Sequence, residues 1–213
     1  MTPTIPAQPP TTIIYVVDDD ASIRTAVGRM LRAAGYSVKA FASGQELLDY
    51  RPADLPGCIL ADLHMPGMNG LDLQVALTRG GVPLPVIFLT GRGDIPTSVQ
   101  AMRQGAEDFL TKLAPKEQVL EAVTRALARD ARDRAARAHL AALRSRFDRL
   151  TEREREVLSH VVQGRLNKQI AADLGLNERT VKLHRTAVTT KLGVPSAAEL
   201  TKLWVEAGLG EGK

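Results

Sequence analysis

Acidic residues stand at the ends of two short apolar stretches of the chain. Ile13–Val17 runs directly into three successive acids, Asp18–Asp20, and Cys58–Ala61 runs into Asp62 and a turn rich in Pro and Gly. If both stretches are parallel strands of one sheet, their carboxyl ends meet at one edge. Carboxylates gathered there repel one another unless a divalent cation lies among them, and oxygen ligands of this kind favour Mg²⁺.

Two more polar residues stand at strand ends. Thr90 follows the apolar stretch Val86–Leu89, and Lys112 follows Phe109–Leu110. A phosphoryl group on a carboxylate needs a divalent cation, a lysine ammonium and a hydroxyl donor to hold its oxygens. Each residue alone would suit a helix cap or a solvated surface, but together they favour phosphoryl-transfer chemistry.

The front of the chain alternates predicted strands with predicted helices. Each strand is a nearly continuous apolar run, which favours a parallel sheet covered on both faces, an α/β domain. The predicted strands are 13–17, 36–41, 58–61, 86–89 and 109–110. The helices are predicted at 21–34, from a capping box at 43–46, at 69–79, at 95–104 and from about 116.

The rear of the chain is predicted to be entirely helical. One helical segment runs from Lys116 to about Leu150, and apolar residues recur at helical spacing in its last turns. Two interpretations remain open, a solvated spacer helix or a short coiled-coil seam between two copies. A short helix at Asn167–Leu174, a turn, and a longer helix at Glu178–Lys191 then form a helix-turn-helix pattern.

Charge divides the chain in the same way. Residues 1–115 carry 9 Lys and Arg against 11 Asp and Glu, whereas residues 116–213 carry 19 against 13. The basic rear favours a polyanionic partner. No apolar stretch is long enough to span a bilayer, residues 1–12 lack the pattern of a signal peptide, and Cys58 is predicted to be a buried hydrophobe. We therefore expect a cytoplasmic protein without a membrane partner.

The longer helix of the helix-turn-helix pattern has two faces. At about 100° per residue, Val181, Val188 and Leu192 share an apolar stripe. The opposite face is basic and hydroxylic, and it can donate to phosphates and base edges in a major groove. That face contains Arg179, Lys182, Leu183, Thr186 and Thr190.

The front domain resembles the receiver domain of bacterial response regulators over roughly residues 12–128. The motifs that carry the resemblance are Val17-Asp18-Asp19, Asp62-x-x-Met65-Pro66-Gly67 with Gly70, Thr90-Gly91, and Gly105-Ala106-x-x-Phe109-x-x-Lys112. The resemblance implies a five-stranded, doubly wound, flavodoxin-like fold. It also implies that Asp62 accepts a phosphoryl group from a phosphohistidine on a partner sensor histidine kinase.

The same resemblance implies roles for the neighbouring residues. Asp19, Asp62 and the backbone carbonyl of His64 would ligate Mg²⁺, and Asp18 would act through water. Thr90 and Lys112 would hold phosphate oxygens, and Phe109 would change rotamer as the switch to the neighbouring helix. These roles are expectations carried over by position.

Three residues around this site carry further expectations. The side chains of His64 and Arg92 would tune dephosphorylation by controlling the access of water. Leu113 follows Lys112 where the family has proline, so the usual cis peptide would cost about 2.5–4 kcal/mol. That departure puts efficient phosphorylation in doubt.

The rear domain resembles the LuxR-type helix-turn-helix over roughly residues 148–208. The motifs are Leu150-Thr151-x-Arg153-Glu154-x-Glu156-Val157-Leu158, Gly164, Asn167-Lys168-x-Ile170-Ala171, Leu174, Thr180-Val181-Lys182-x-His184 and Lys191-Leu192-Gly193-Val194. Carried over by position, bases would be met by Lys182, Leu183 and Thr186. Phosphates would be met by Asn167, Lys168, Thr180, His184 and Lys191, with a structural role equally open for His184.

The whole chain is thus similar to response regulators of the FixJ/NarL type. The expected organisation is a disordered tail (1–12), a receiver (13–128), a linker helix (129–147) and a DNA-binding domain (148–213). Phosphorylation would drive homodimerisation or change interdomain contacts, and thereby change promoter binding, with RNA polymerase as a further partner. Such a protein is not an enzyme in the usual sense.

Two other functions remain open. Asp18-Asp19-Asp20-Ala21-Ser22 also fits the D-x-D-x-[ST] pattern of haloacid-dehalogenase-type phosphatases, with Asp18 as nucleophile and Asp20 as acid/base. The lack of a second acid pair and of a cap domain counts against that function. Alternatively, the chain binds DNA with a degenerate receiver that never needs phosphate, which the residue Leu113 favours because strain impairs a site.

Overall fold

The chain forms two compact units, which the contacts divide at residues 1–133 and 134–213. Of the predicted tail at 1–12, only Thr12 is among the residues that the computed structural model describes. The described residues are 12–50, 52, 55–82, 84–91 and 95–210. Among them, no helix combines the length and the apolar character needed to cross a bilayer.

A five-stranded parallel sheet organises the first unit. Its strands are β1 (Ile13–Val17), β2 (Ser37–Phe41), β3 (Gly57–Asp62), β4 (Val86–Thr90) and β5 (Asp108–Thr111). They lie in the order β2-β1-β3-β4-β5, and every neighbouring pair is parallel. The predicted fold class is confirmed: the central strands β1, β3 and β4 are apolar and buried on both faces, whereas most of the edge strand β2 is exposed.

Helices cover both faces of this sheet. They are α1 (Ala21–Ala33), α2 (Gly44–Tyr50), α3 (Gly70–Arg79), α4 (Ile95–Arg103) and the beginning of α5 (Lys116–Asp148). One core contains Tyr15, Ile59 and Phe88, and the core on the opposite face contains Ile14, Leu60 and Ile87. Neighbouring residues of a strand point to opposite faces, so each strand supplies both cores.

Strand β3 extends beyond its predicted bounds at both ends. The ladder includes Gly57 at the start and Asp62 at the end, where Asp62 pairs with Leu89 of β4. The Gly57 amide donates to the buried Asp130 carboxylate of α5 (3.0 Å). Cys58 is fully buried next to it, and burial together with nearby acids raises the pKa of its thiol. The predicted packing role of this cysteine is therefore confirmed.

Helix α5 is continuous from Lys116 to Asp148, as the sequence predicted. Its first turns bury Val119 and Val123 in the first unit. Its last turns bury Leu143 and Phe147 in the core of the second unit. Because these large side chains are covered within one chain, they are not free to form the coiled-coil seam considered above.

The second unit is a helical bundle with a helix-turn-helix. After the end of α5 come α6 (Glu152–Val162), α7 (Asn167–Leu174), α8 (Glu178–Leu192) and α9 (Ala197–Glu206). Gly175 ends α7 with a left-handed φ of 64°, a conformation that glycine adopts at little cost. The Asn177 side chain then caps α8 by accepting from the Thr180 amide (2.8 Å).

A buried acid connects α6 to α8. Thr151 and Glu154 form a capping box, and Glu154 Oε2 accepts from the Thr151 amide (2.8 Å). The same oxygen accepts from Lys191 Nζ (2.7 Å). The bond from Lys191, followed by the capping contact, holds the pKa of Glu154 below its ordinary value.

Gly70 allows α3 to begin directly beneath the end of β3. A Cβ built on Gly70 would lie 2.6 Å from the Asp62 carbonyl oxygen and 3.0 Å from Leu63 Cα. It would also lie 2.8 Å from Phe88 Cε1. Since backbone cannot yield as a flexible side chain does, only glycine fits here.

We expect Gly70→Ala to destabilise the protein by about 1–3 kcal/mol, the usual cost of overpacking. The matched control is Gly28→Ala within α1, where the new methyl meets only the flexible end of Arg32 (3.1 Å). Alanine has a better helix propensity than glycine, so this control should stabilise the protein by about 0.5–1 kcal/mol. Urea unfolding followed by circular dichroism measures both, and equal effects would contradict the close approach at Gly70.

We expect Glu154→Gln to lower the unfolding midpoint at neutral pH. A folded-state pKa below the ordinary 4.5 means that the ionised carboxylate stabilises the fold above that pH. The contribution is lost as the pH falls through the lowered pKa, so variant and wild type should converge in acid. Thermal unfolding across pH measures this.

The control for this experiment is Glu156→Gln, which removes a partly solvent-exposed ion pair with Arg153 at the surface. Ion pairs at the surface contribute about 0–1 kcal/mol, so the unfolding midpoint of this variant should change less than that of Glu154→Gln. A constant difference between wild type and Glu154→Gln at every pH would exclude the ionised pair as the cause.

Candidate phosphoacceptor site and DNA-binding face

The acids predicted at the edge of the sheet do come together. Asp18 follows β1, Asp62 ends β3, and carboxylate oxygens of Asp18, Asp19 and Asp62 lie within 4.8 Å of one another. Asp18 and Asp62 are buried, whereas Asp19 is exposed. The strand order explains this arrangement, because β1 and β3 are neighbours and both end at this edge.

Lys112 reaches the cluster from the end of β5. Its Nζ lies 2.7 Å from Asp18 Oδ2 and 2.8 Å from Asp62 Oδ2. Burial alone would lower the pKa of Lys112, but the bonds to these two carboxylates outweigh it and raise the pKa. Burial disfavours the charged form of an acid too, so it raises the pKa of Asp18, and the hydrogen bond from Lys112 only partly opposes that rise. The ammonium therefore stays charged between two acids.

Asp20, the third acid after β1, has a different place. Its carboxylate caps α1 by accepting from the amides of Ser22 (2.7 Å) and Ile23 (3.4 Å). Those bonds lower its pKa. Because it serves as a helix cap, Asp20 is not positioned as the acid/base that the phosphatase hypothesis requires.

The donor set suits a small divalent cation. Three carboxylates face one ammonium, which leaves two negative charges uncompensated. Hard carboxylate oxygens close together on a partly exposed edge are the ligands that Mg²⁺ takes, usually with several waters retained. The residues present therefore fit the cation implied by the sequence.

Thr90 and His64 lie beside the acids. Thr90, the last residue of β4, is fully buried, and its Oγ1 lies 3.3 Å from His64 Nδ1. The His64 amide donates to Asp62 Oδ1 (3.3 Å), and Asp62, His64, Gly91 and Lys112 line an open depression. Arg92, the other residue predicted to tune dephosphorylation, lies outside the described residues.

Phe109 and Leu113 flank the position of Lys112. Phe109 is half-buried on β5, and its ring centroid is 6.5 Å from that of Phe88 on β4. The peptide between Lys112 and Leu113 is trans, and Leu113 is 93% exposed. Lys112 nevertheless contacts both acids, so the departure from proline does not displace it.

Helix α8 presents the two faces that its sequence predicted. Val181, Val188 and Leu192 are buried in the core of the second unit. Leu183 is 64% exposed on the face away from that core. The residues exposed with it are Arg179, Lys182, Thr186 and Thr190.

Some of the predicted phosphate contacts are engaged within the protein. Lys191 is paired with Glu154, the Thr180 hydroxyl donates to Asn177 Oδ1 (2.9 Å), and His184 is half-buried. Lys168 is exposed at the start of α7. The DNA contacts themselves stay predictions.

Asn167 is also engaged, through a residue that sequence reasoning missed. Arg185 Nη1 donates to Asn167 Oδ1 (2.8 Å) and so connects α8 to α7. Arg185 lies next to the apolar stripe of α8, where periodicity alone suggests a margin position. The only signal in the sequence was a cation four residues after the buried Val181.

Two families match the chain, one for each unit. Residues 14–124 match the response regulator receiver domain, and residues 148–204 match the luxR family of bacterial regulatory proteins. The nodulation protein W of Bradyrhizobium diazoefficiens is 41% identical over 197 residues, which cover 92% of this chain and 87% of that protein. The response regulator protein TodT of Pseudomonas putida is 37% identical over 191 residues, which cover 90% of this chain and 84% of that protein.

Solved structures give the same result. The response regulator StyR superposes with a TM-score of 0.76 at 40% identity, covering 92% of this chain and 99% of its own. Full-length FixJ from B. japonicum superposes with a TM-score of 0.56 at 34% identity, and the match covers 92% of this chain and 97% of that one. The chain belongs to the response regulators that join a receiver domain to a LuxR-type DNA-binding domain.

Proposed function

We propose that the chain is a transcription regulator whose DNA binding is controlled by phosphorylation of Asp62. The observation that carries this proposal is the contact of Lys112 with Asp18 and Asp62 at an open edge of the sheet. A phosphoryl group on Asp62 would lie beside an ammonium, a hydroxyl and the remaining acids. These are the groups that phosphoryl transfer requires.

In the proposed reaction, a carboxylate oxygen of Asp62 attacks the phosphorus of a phosphohistidine on a sensor histidine kinase. The O–P bond forms, the P–N bond breaks, and the leaving imidazole nitrogen takes a proton from solvent. Lys112 then holds one phosphoryl oxygen, and the Thr90 hydroxyl donates to another. Phe109 lies on β5, next to the strand that ends at Thr90. A change in its rotamer would transmit the movement of Thr90 to α4.

Bound Mg²⁺ would neutralise charge on the phosphoryl oxygens and on the attacking carboxylate. Asp18, Asp19, Asp62 and the His64 carbonyl would hold it, in part through water. The fit of the carboxylate set to such a cation supports this assignment.

The rear unit would bind double-stranded DNA through the exposed face of α8. Lys182, Leu183 and Thr186 would meet bases, and Arg179 and Lys168 would meet phosphates. A protein of this size reads few base pairs, so we infer that a homodimer occupies two half-sites when activated. RNA polymerase would be the further partner, and the cytoplasm the compartment, because DNA is the proposed target.

We expect a small phosphoramidate with Mg²⁺ to phosphorylate the full chain at Asp62. Peptide mapping by mass spectrometry locates the adduct, and Asp62→Asn should abolish it because the nucleophile is lost. Asp49→Asn, which changes an exposed acid of α2, is the matched control and should label like wild type. Turnover through Asp18 without an adduct on Asp62 would contradict the proposal.

The same preparation tests whether modification of Asp62 controls self-association and DNA binding. Beryllofluoride should change self-association or DNA affinity by about 5–150-fold, the range of typical coupling energies. An adduct on Asp62 without any such change would support regulation independent of phosphate.

We expect His64→Ala and Arg92→Ala to accelerate hydrolysis of phosphorylated Asp62. Both side chains are proposed to restrict water at the acyl phosphate, and His64 lies against Thr90 at the rim. A loss of about 1 kcal/mol of protection corresponds to a rate increase of roughly fivefold. Loss of radiolabel with time measures the rate, with His139→Ala as control, and unchanged rates in both variants would exclude this role.

A further inference from the structure

Arg185 is a cation that is held in place by another side chain. It is half-buried on α8, and its Nη1 donates to Asn167 Oδ1 of α7 at 2.8 Å. A guanidinium carries five N–H donors in a planar fork, so this bond fixes its orientation and leaves most donors for other acceptors.

The guanidinium lines an open cleft between the start of α7 and one edge of α8. The charged residues of that cleft are Lys168, Glu178, Lys182 and Arg185, and Thr186 and Thr189 contribute hydroxyl groups. Three cations against one acid give the cleft a positive balance. Such a cleft attracts an anion with several acceptor oxygens.

The place of Arg185 on α8 decides which part of DNA it can reach. At about 100° per residue it lies only about 40° from the buried Val181, whereas Thr190 lies about 180° from Val181. Arg185 therefore faces α7 and not the outward face proposed to read bases. In helix-turn-helix proteins the first helix crosses the DNA backbone, so the ligand on this side is a phosphate.

We propose that Arg185 binds a phosphate of duplex DNA together with Lys168, and that Asn167 acts as its positioning residue. The proposal rests on the DNA-binding function proposed above and deepens it. Asn167, assigned to a phosphate by position, instead acts through the guanidinium that it orients. Contacts to phosphate fix the register of the protein on DNA without reading the sequence.

The test uses the full chain and two fluorescent duplexes of unrelated sequence, because a phosphate contact acts on every sequence. Binding is measured by anisotropy between about 50 and 200 mM salt. Arg185→Gln should weaken binding about tenfold, as expected for a charged hydrogen bond, and should reduce the salt slope by about 0.9 per bound subunit.

The variant Asn167→Ala tests the orientation of the Arg185 guanidinium separately from its charge. It should weaken binding by a smaller factor and leave the salt slope unchanged, because the cation is still present. Lys202→Gln is the matched control, since it removes one exposed charge on α9 away from the cleft, and its salt slope should equal that of wild type.

Three outcomes would overturn the inference. They are an unchanged slope with Arg185→Gln, a loss confined to one duplex sequence, and a lowered unfolding midpoint with wild-type DNA binding. If Arg185→Gln does not fold, Arg185→Lys replaces it: weaker binding with the wild-type slope supports the oriented fork, and wild-type affinity overturns it. If wild type shows no salt-sensitive DNA binding, the proposed function itself fails.

Discussion

One ammonium group between two carboxylates organises the receiver unit. Lys112 arrives from β5, spans the width of β4, and contacts acids at the ends of β1 and β3. This geometry needs β1, β3 and β5 to end at the same edge, as parallel strands do. Gly70 adds a second constraint, since α3 must begin directly under the carbonyl of Asp62. The site is thus a consequence of strand register as much as of residue type.

The second unit divides its polar residues between building the fold and facing outward. Lys191 and Glu154 hold α8 against α6, and Asn167 holds Arg185 against α7. Lys182 is exposed at the edge of the same cleft as Arg185, and Leu183 is exposed about 160° further round α8. A basic helix in such a domain is therefore not uniformly available to an anion, and a substitution must be interpreted by the contacts of each side chain.

The sequence was sufficient for the fold and for the gathering of acids, because apolar runs mark strands and strand ends mark an edge. The apolar runs alone predict that Asp18, Asp62 and Lys112 lie at that edge. The sequence did not separate Asp20, which caps α1, from its neighbours, because adjacent acids look alike in a sequence. Nor did it find Arg185 or the partner of Glu154. Those contacts join helices across a core, and helical periodicity contains no information about which side chains meet.

The burial of Cys58 has a practical consequence for spectroscopy. The chain has a single cysteine, its side chain is fully covered in β3, and its thiol is held in the protonated form. Thiol reagents attack the thiolate, so the folded native protein should give almost no background with maleimide dyes. One cysteine introduced on α8 or α9 would then carry a fluorophore or spin label without removal of the natural one.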